Sequence, residues 1–475
     1  VFVSRQPKHR DALPHGEATV VDQAVDASVW KIVAVAMLGS LLAQLDATVV
    51  NVSLAPLASE LQASLKTIQW VTSGYLLALA FALPINGWLI QRIGAKSLYL
   101  WCFSIFTISS MLCGLAWSAS SLIGFRLLQG ASGGLMAPMA QLLMKRAAGH
   151  EFTRIAGYAA IPVLLGPALG PVIAGAILHA ASWRWLFLVN LPVGVLAIAL
   201  AKAFLPKDVD ERTVAPLDWI GLALLSPSLV FVLFGIDRLS QPAGIIATVV
   251  GVLMFVAFLV VQRGKGDAAL IDLTLFRSRA FSVAALVQFL WNGVMFAGQM
   301  LVPLFLIQQC GESPAMMGWM LAPLGLGMML IVPLLGFVTS RLGERRTAIA
   351  GAFSACASTL LLAWLATHGL DRPVLAAALF FRGVGLGAIG LPVVSLAYAS
   401  IGNEDLPMAT TTLNIVQRIG GPILTTLCAL LLSRELQGHA GWLGLNAWSE
   451  TLGALAALHA IMAMTTLALP HSSRT

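Results

Sequence analysis

The chain has 475 residues, 58% apolar and 10% charged, with a mean hydropathy of +0.87 and a formal charge of +7. Soluble domains carry about a quarter charged residues, so these values exclude a soluble domain and leave a polytopic membrane protein. Backbone groups find no water inside a bilayer and must bond one another, so apolar runs of about 20 residues imply an all-α fold.

The first 29 residues mix Arg, Lys, Asp, Glu and Pro without an apolar stretch or a small-residue cleavage site. They are expected to be a short cytosolic tail and not a signal peptide. Fourteen apolar runs follow. Six (about 30–55, 68–90, 98–117, 118–144, 155–179 and 184–204) form a first group, and 217–236 and 243–262 a middle pair. A last group holds 280–308, 316–338, 347–367, 371–399, 407–432 and 450–469. The expected organisation is an N-terminal six-helix bundle over 30–204, a linker with two inserted transmembrane helices over 205–279, and a C-terminal six-helix bundle over 280–470. A cytosolic tail, 471–475, closes the chain.

Lys and Arg resist translocation, so their placement orients the helices. Of the 28, 20 fall in the tails and loops on one side. Only Lys66, Arg184, Arg238, Arg372 and Arg434 fall on the other, and Arg126, Arg382 and Arg418 lie within runs. Both termini are expected in the cytosol of a cell membrane, the bacterial inner membrane by preference, and the positive charge is explained by the bilayer without nucleic acid. The five cysteines, Cys102, Cys113, Cys310, Cys356 and Cys428, stand singly, which indicates neither a disulfide framework nor a metal site.

Internal symmetry is faint. "GWLIQRIGAKS" (87–97) after the second run parallels "GFVTSRLGERR" (336–346) after the tenth, and "FRLLQGASGGLMAP" in the fourth parallels "FRGVGLGAIGLP" in the twelfth. Bundles related by such repeats are a common plan of secondary transporters. Four motifs then point to one family. "LDATVVNVSLAPL" (45–57), "FRLLQGASGG" (125–134), "GYAAIPVLLGPALGPVIAG" (157–175) and "WRWLFLVNLPVG" (183–194) occur in order. With them the chain resembles the major facilitator superfamily, in its fourteen-helix drug/proton antiporter branch. The resemblance implies a proton-coupling role for Asp46 and for the intramembrane Arg126. It also implies a gating role for the loop residues Gly87, Gln91, Arg92 and Gly94, and a sealing fifth helix built on Gly157, Gly166, Pro167, Gly170, Pro171 and Gly175. One departure matters: the family's loop motif carries an Asp where this chain has Gln91, and the second copy has Ser340. That Asp is thought to latch the cytosolic side by bonding a neighbouring helix end, so the latch is expected to be weaker here.

Apart from the resemblance, Asp46 stands out as the one acid deep within a run. Lys31 and Glu60 lie about 21–23 Å away along a helix at ~1.5 Å per residue. An ionised carboxylate at that depth is costly unless it faces water or a partner. Burial favours its neutral form and a nearby cation its anion, which makes a reversible proton carrier; the alternative is a structural, hydrogen-bonded Asp. Arg126 sits at a comparable height, about 28 Å from the inner surface, either tuning Asp46 or bonding helix carbonyls. The reading fails if Asp46 points into lipid or is locked in a dry knot of side chains.

Arg382 and Arg418 are also deep, either in the cavity or as structural links. Three arginines against one Asp disfavour a dication and suit monocationic, neutral-amphiphilic or anionic cargo. Gln288, Asn292, Met295 and Gln299 share one helical face and, with Asn51, Asn414, Arg382 and Arg418, are the candidate cavity residues. His459 reads as a bonded bundle residue and not as a second proton site. The expected function is a proton-driven exporter of amphiphilic small molecules working by alternating access, with one proton per turnover. A facilitator or exporter of lipids or natural products without proton coupling is the alternative. No nucleophile, metal cluster or paired deep carboxylates mark an enzyme. The chain is expected to act as a monomer, with protons, cargo and lipid as partners and no cofactor.

Overall fold

The computed structural model describes residues 26–208, 216–239, 241–263, 265, 269–436 and 446–470. At positions 47, 48, 51, 52, 55, 65, 66, 161–172, 175, 237, 314 and 315 it describes the backbone alone. The tails expected at 1–29 and 471–475 lie outside the described residues, except for 26–29, where the first helix begins.

Six long helices come first: α1 (Ala27–Val52), α2 (Leu65–Ala82), α3 (Ala95–Gly114), α4 (Ala119–Ala148), α5 (Phe152–Ala180) and α6 (Asn190–Phe204). A 3₁₀ turn, Leu83–Ile85, and a short helix, Asn86–Ile93, extend α2. Then come α7 (Trp219–Asp237) and α8 (Pro242–Gln262). The last six are α9 (Arg279–Leu304), α10 (Pro314–Leu342), α11 (Glu344–His368), α12 (Arg372–Gly387, resuming as Gly390–Ala399), α13 (Leu406–Leu436) and α14 (Ala447–Leu467). Side chains at the starts take up orphan N–H groups: Asp26 accepts from Ser28, Ser64 from Thr67, and Ser118 and Ser121 form a reciprocal box. Twelve spans among the described residues are long and apolar enough to cross a membrane. α4 and α5, 30 and 29 residues long, complete the fourteen.

The two groups of six repeat one packing scheme. α1 packs on α5, α2 on α4 and α3 on α6; in the second half α9 packs on α13, α10 on α12 and α11 on α14. Lipid tails are as apolar as Leu, so close backbone contact rather than hydrophobic burial joins such helices. A Cβ on Gly130 of α4 would lie 2.3 Å from Tyr75 O of α2, and one on Gly383 of α12 would lie 2.1 Å from Leu324 O of α10. The loop repeat shares its backbone too: Gly94 has φ 87° and ψ 159°, Gly343 φ 82° and ψ 155°, a region open essentially to glycine alone. The inserted α7 packs on α8 and touches both α2 and α13.

The two bundles meet at the end that carries the basic loops. Gly157 of α5 backs onto Val332 O of α10, and Gly336 of α10 onto Arg154. Gly87 backs onto Met408 of α13. Hydrogen bonds cross the same seam: Asn86 Nδ2 to Thr411 Oγ1 (3.2 Å), Tyr398 Oη to Gln141 Oε1 (3.0 Å) and Thr153 Oγ1 to Glu344 Oε1 (2.7 Å). The basic end is therefore closed in this conformation.

Candidate functional site: a buried Asp–Arg cluster in the first bundle

The first bundle gathers its polar groups around Asp46. α1 carries the carboxylate past α4, where Arg126 and Gln129, three residues apart, share a face. Arg126 Nη1 donates to Asp46 Oδ2 at 2.5 Å and to Gln129 Oε1 at 2.7 Å. Gln129 Nε2 and Asn190 Nδ2, the latter at the start of α6, both donate to Asp46 Oδ1, at 3.0 and 3.1 Å. Asn190 also reaches Ser110 Oγ of α3 (3.0 Å), which donates onward to Phe187 O (2.9 Å). Arg126 Nε donates to Val71 O of α2 (3.1 Å), and the guanidinium lies 4.2 Å from the centroid of the Tyr75 ring.

Five helices thus converge on one ion pair. Breaking such a pair by removing one partner strands a charge in apolar surroundings, whereas the complete set satisfies both. The cluster is also enclosed: Asp46 is 2% exposed and Arg126 0%. In this conformation Asp46 faces partners and not water: Arg126, Gln129 and Asn190 take up both carboxylate oxygens, a knot of side chains that counts against a proton carrier. One edge stays polar. Arg126 Nη2, the Tyr75 hydroxyl and Thr72 Oγ1 are buried without a hydrogen-bond partner.

The other candidates are dispersed. Arg382 is 1% exposed, donates to Val294 O of α9 (3.0 Å) and lies against Gly298. Arg418 is half-buried, with Nε unpartnered. Gln288 is fully buried in a seam: its amide donates to Gly390 O (2.6 Å) and accepts from Gln417 (2.6 Å). With Trp291, which donates to Leu386 O (2.8 Å), it serves carbonyls flanking the break in α12. Asn292 lies against Gly421 of α13, and Gln299 is exposed. Asn414 is buried and donates across the seam to Gln141 Oε1 (3.1 Å), so it belongs to the closed end and not to an open cavity. His459 is fully buried, with Nδ1 2.8 Å from Leu455 O.

Gly87 and Gly157 lie on the seam, as given above, while Gln91 is half-buried, Arg92 exposed and Gly94 against Asp208. Asn51, Gly166, Pro167, Gly170, Pro171 and Gly175 lie outside the residues whose side chains are described. Gln129, Asn190, Ser110 and Tyr75 were not singled out from the sequence. Gln129 carried a usable signal, one helical turn after Arg126, and Asn190 another, as a lone amide within "WRWLFLVNLPVG".

Comparison with known proteins agrees with this architecture. Residues 36–425 match the profile of the Major Facilitator Superfamily. A "Multidrug resistance protein B homolog" of Mycobacterium tuberculosis is 32% identical over 86% of this chain and 77% of its own. The "Multidrug export protein EmrB" of Escherichia coli is 28% identical over 83% of this chain and 79% of its own. Among solved structures, a double-Trp mutant of XylE superposes with a TM-score of 0.65 at 14% identity, covering 95% of this chain and 98% of that one, a likeness of fold alone. With its two six-helix bundles, the chain belongs to the Major Facilitator Superfamily and is a multi-pass membrane transporter, not an enzyme.

Proposed function

We propose that the chain exports amphiphilic small molecules across the bacterial cytoplasmic membrane by alternating access, in exchange for protons, and that Asp46 carries the proton. The observation that carries this reading is the lone deep carboxylate bonded to Arg126, Gln129 and Asn190. The ion pair is the proton-free form. A proton on Asp46 cancels its attraction to Arg126 and frees the guanidinium, so loading and unloading alternate between two arrangements of charge. Relatives bearing the names of multidrug export proteins support the choice of cargo. Because Lys and Arg resist translocation, the closed basic end is assigned to the cytosol, both termini with it. Moving one charge through 100 mV supplies about 2.3 kcal/mol, enough for one proton per cycle to drive a single chain acting as a monomer.

Enclosure of the carboxylate narrows the mechanism. Proton exchange then runs past the buried, unpartnered polar atoms Arg126 Nη2, Thr72 Oγ1 and Tyr75 Oη. That enclosure also favours a second reading, a facilitator or exporter of lipids or natural products without proton coupling, in which the cluster merely holds five helices together. Proteoliposomes containing a pH-sensitive dye separate the two. The exporter shows cargo-dependent proton movement that the Asp46→Asn variant loses. Cargo flux with no proton movement in the parent protein would leave the facilitator.

A further inference from the structure

We propose that a cavity at the basic end, beside the loop joining α2 and α3, binds the phosphate-bearing headgroup of an anionic phospholipid. The cavity measures about 750 Å³, and its charged lining is Arg92, Lys96, Arg146, Lys207 and Asp208. Among the described residues, four cations therefore line the cavity with one carboxylate. That carboxylate is already committed: Asp208 Oδ1 accepts from Lys96 N (2.9 Å), and Oδ2 from Ser97 N (2.9 Å) and Ser97 Oγ (2.7 Å). It thereby ties the segment after α6 to the first turn of α3. Lys96 Nζ is held at the wall by Lys202 O (2.9 Å) and Leu205 O (2.7 Å), and an ammonium has a third N–H to give. Arg92 and Lys207 are exposed.

The rest of the lining selects a lipid over a soluble anion. Ile93 and Trp101, 39% and 63% exposed, share the wall with the bases, and Trp favours the headgroup level of a bilayer. A zwitterionic headgroup would also need an acceptor for its cation. Asp208 is spent, and the described lining holds no other carboxylate, only the neutral amide of Gln91, so the cavity suits net negative charge. Bases beside a membrane surface attract anionic lipid by about 1 kcal/mol each.

Native mass spectrometry of the detergent-purified full chain tests this with three probes: dioctanoyl phosphatidylglycerol, dioctanoyl phosphatidylcholine and inorganic phosphate. The phosphatidylglycerol adduct should persist where phosphatidylcholine is lost, and millimolar phosphate should leave it in place. Arg92→Gln and Lys207→Gln should each weaken the adduct about five-fold; Lys207 sits on an exposed segment beyond α6, so its replacement leaves folding intact. Equal retention of the two lipids, or unchanged affinity in both variants, overturns the proposal. Displacement by inorganic phosphate overturns the lipid assignment in favour of a free anion.

Discussion

Arg126 and Arg382 occupy matching places in the two bundles, and their surroundings differ in one decisive way. Both follow a Phe in the paired motifs of α4 and α12, both are buried, and both donate to a carbonyl of a neighbouring helix, Val71 O and Val294 O. Arg126 meets Asp46; Arg382 meets Gly298, where a Cβ would stand 1.8 Å from Nη2. The scaffold is symmetric and the chemistry is not. One bundle holds a guanidinium with a titratable partner. In the other, Arg382 contacts, among the described residues, the backbone of Val294 and Gly298 and no carboxylate.

If that difference carries the coupling, the largest effect belongs to Asp46→Asn, which leaves Arg126 to Val71 O, Gln129 and the neutral amide at some cost in stability and should still bind cargo yet transport it only down its gradient. Uphill efflux retained in everted vesicles would dissolve the contrast between the bundles. Next in size is Arg126→Ala, which strands the carboxylate and should cost about 3–5 kcal/mol, seen as early thermal unfolding in detergent. Pairing it with Asp46→Asn should restore most of that loss. Arg382→Ala strands no acid and removes one charged hydrogen bond to Val294 O, which keeps its own bond within α9, so a smaller loss of about 1.5–3 kcal/mol is expected. Equal costs at the two arginines would show that Asp46 adds nothing special.

The fourteen helices, their grouping and the comparable depth of Asp46 and Arg126 were legible because bilayer thickness ties length to span and because charge is rare in such a chain. The rotation of each helix was not. A helix bordered by lipid on one side and apolar neighbours on the other gives little periodic signal, so the spacing of Gln129 from Arg126 and the lone amide of Asn190 did not by themselves show which way these side chains face, while Gln288 looked like a cavity residue. Its actual partner is Gly390 O, beside a break in α12 that the continuous run 371–399 did not announce. Asn414 misled for the same reason: a polar group facing the other bundle reads like one facing cargo.

A carboxylate at the rim offers a smaller comparison. Asp218 caps α7 and is gripped by Lys265, with Gln262 Nε2 at 2.7 Å and Gly221 N at 2.8 Å. Burial pushes its carboxyl up, but those three partners outweigh burial and hold it below the usual carboxylate range. Its contribution is therefore present above about pH 4 and fades as pH falls through the lowered value. Asp218→Asn keeps the cap, which Asn makes equally well, and loses the charge paired with Lys265, so about 1 kcal/mol is expected at neutral pH, and unfolding temperatures of parent and variant should converge in acid. A gap that persists below pH 3 would show that the charge is not what binds α7 to α8.

The smallest effect expected is at Gln91. The short helix Asn86–Ile93 packs on α13, so Gln91→Asp restores a charge near the closed end without touching the Asp46 cluster. An exposed charge of this kind is worth ~0–1 kcal/mol, so transport rates should move within about five-fold while the range of exported compounds stays the same. The same substitution adds a second carboxylate to the basic cavity and should weaken phosphatidylglycerol there. A changed drug spectrum would mean that this loop reaches the cargo path, and the contrast between a coupling centre in one bundle and gating at the seam would have to be redrawn.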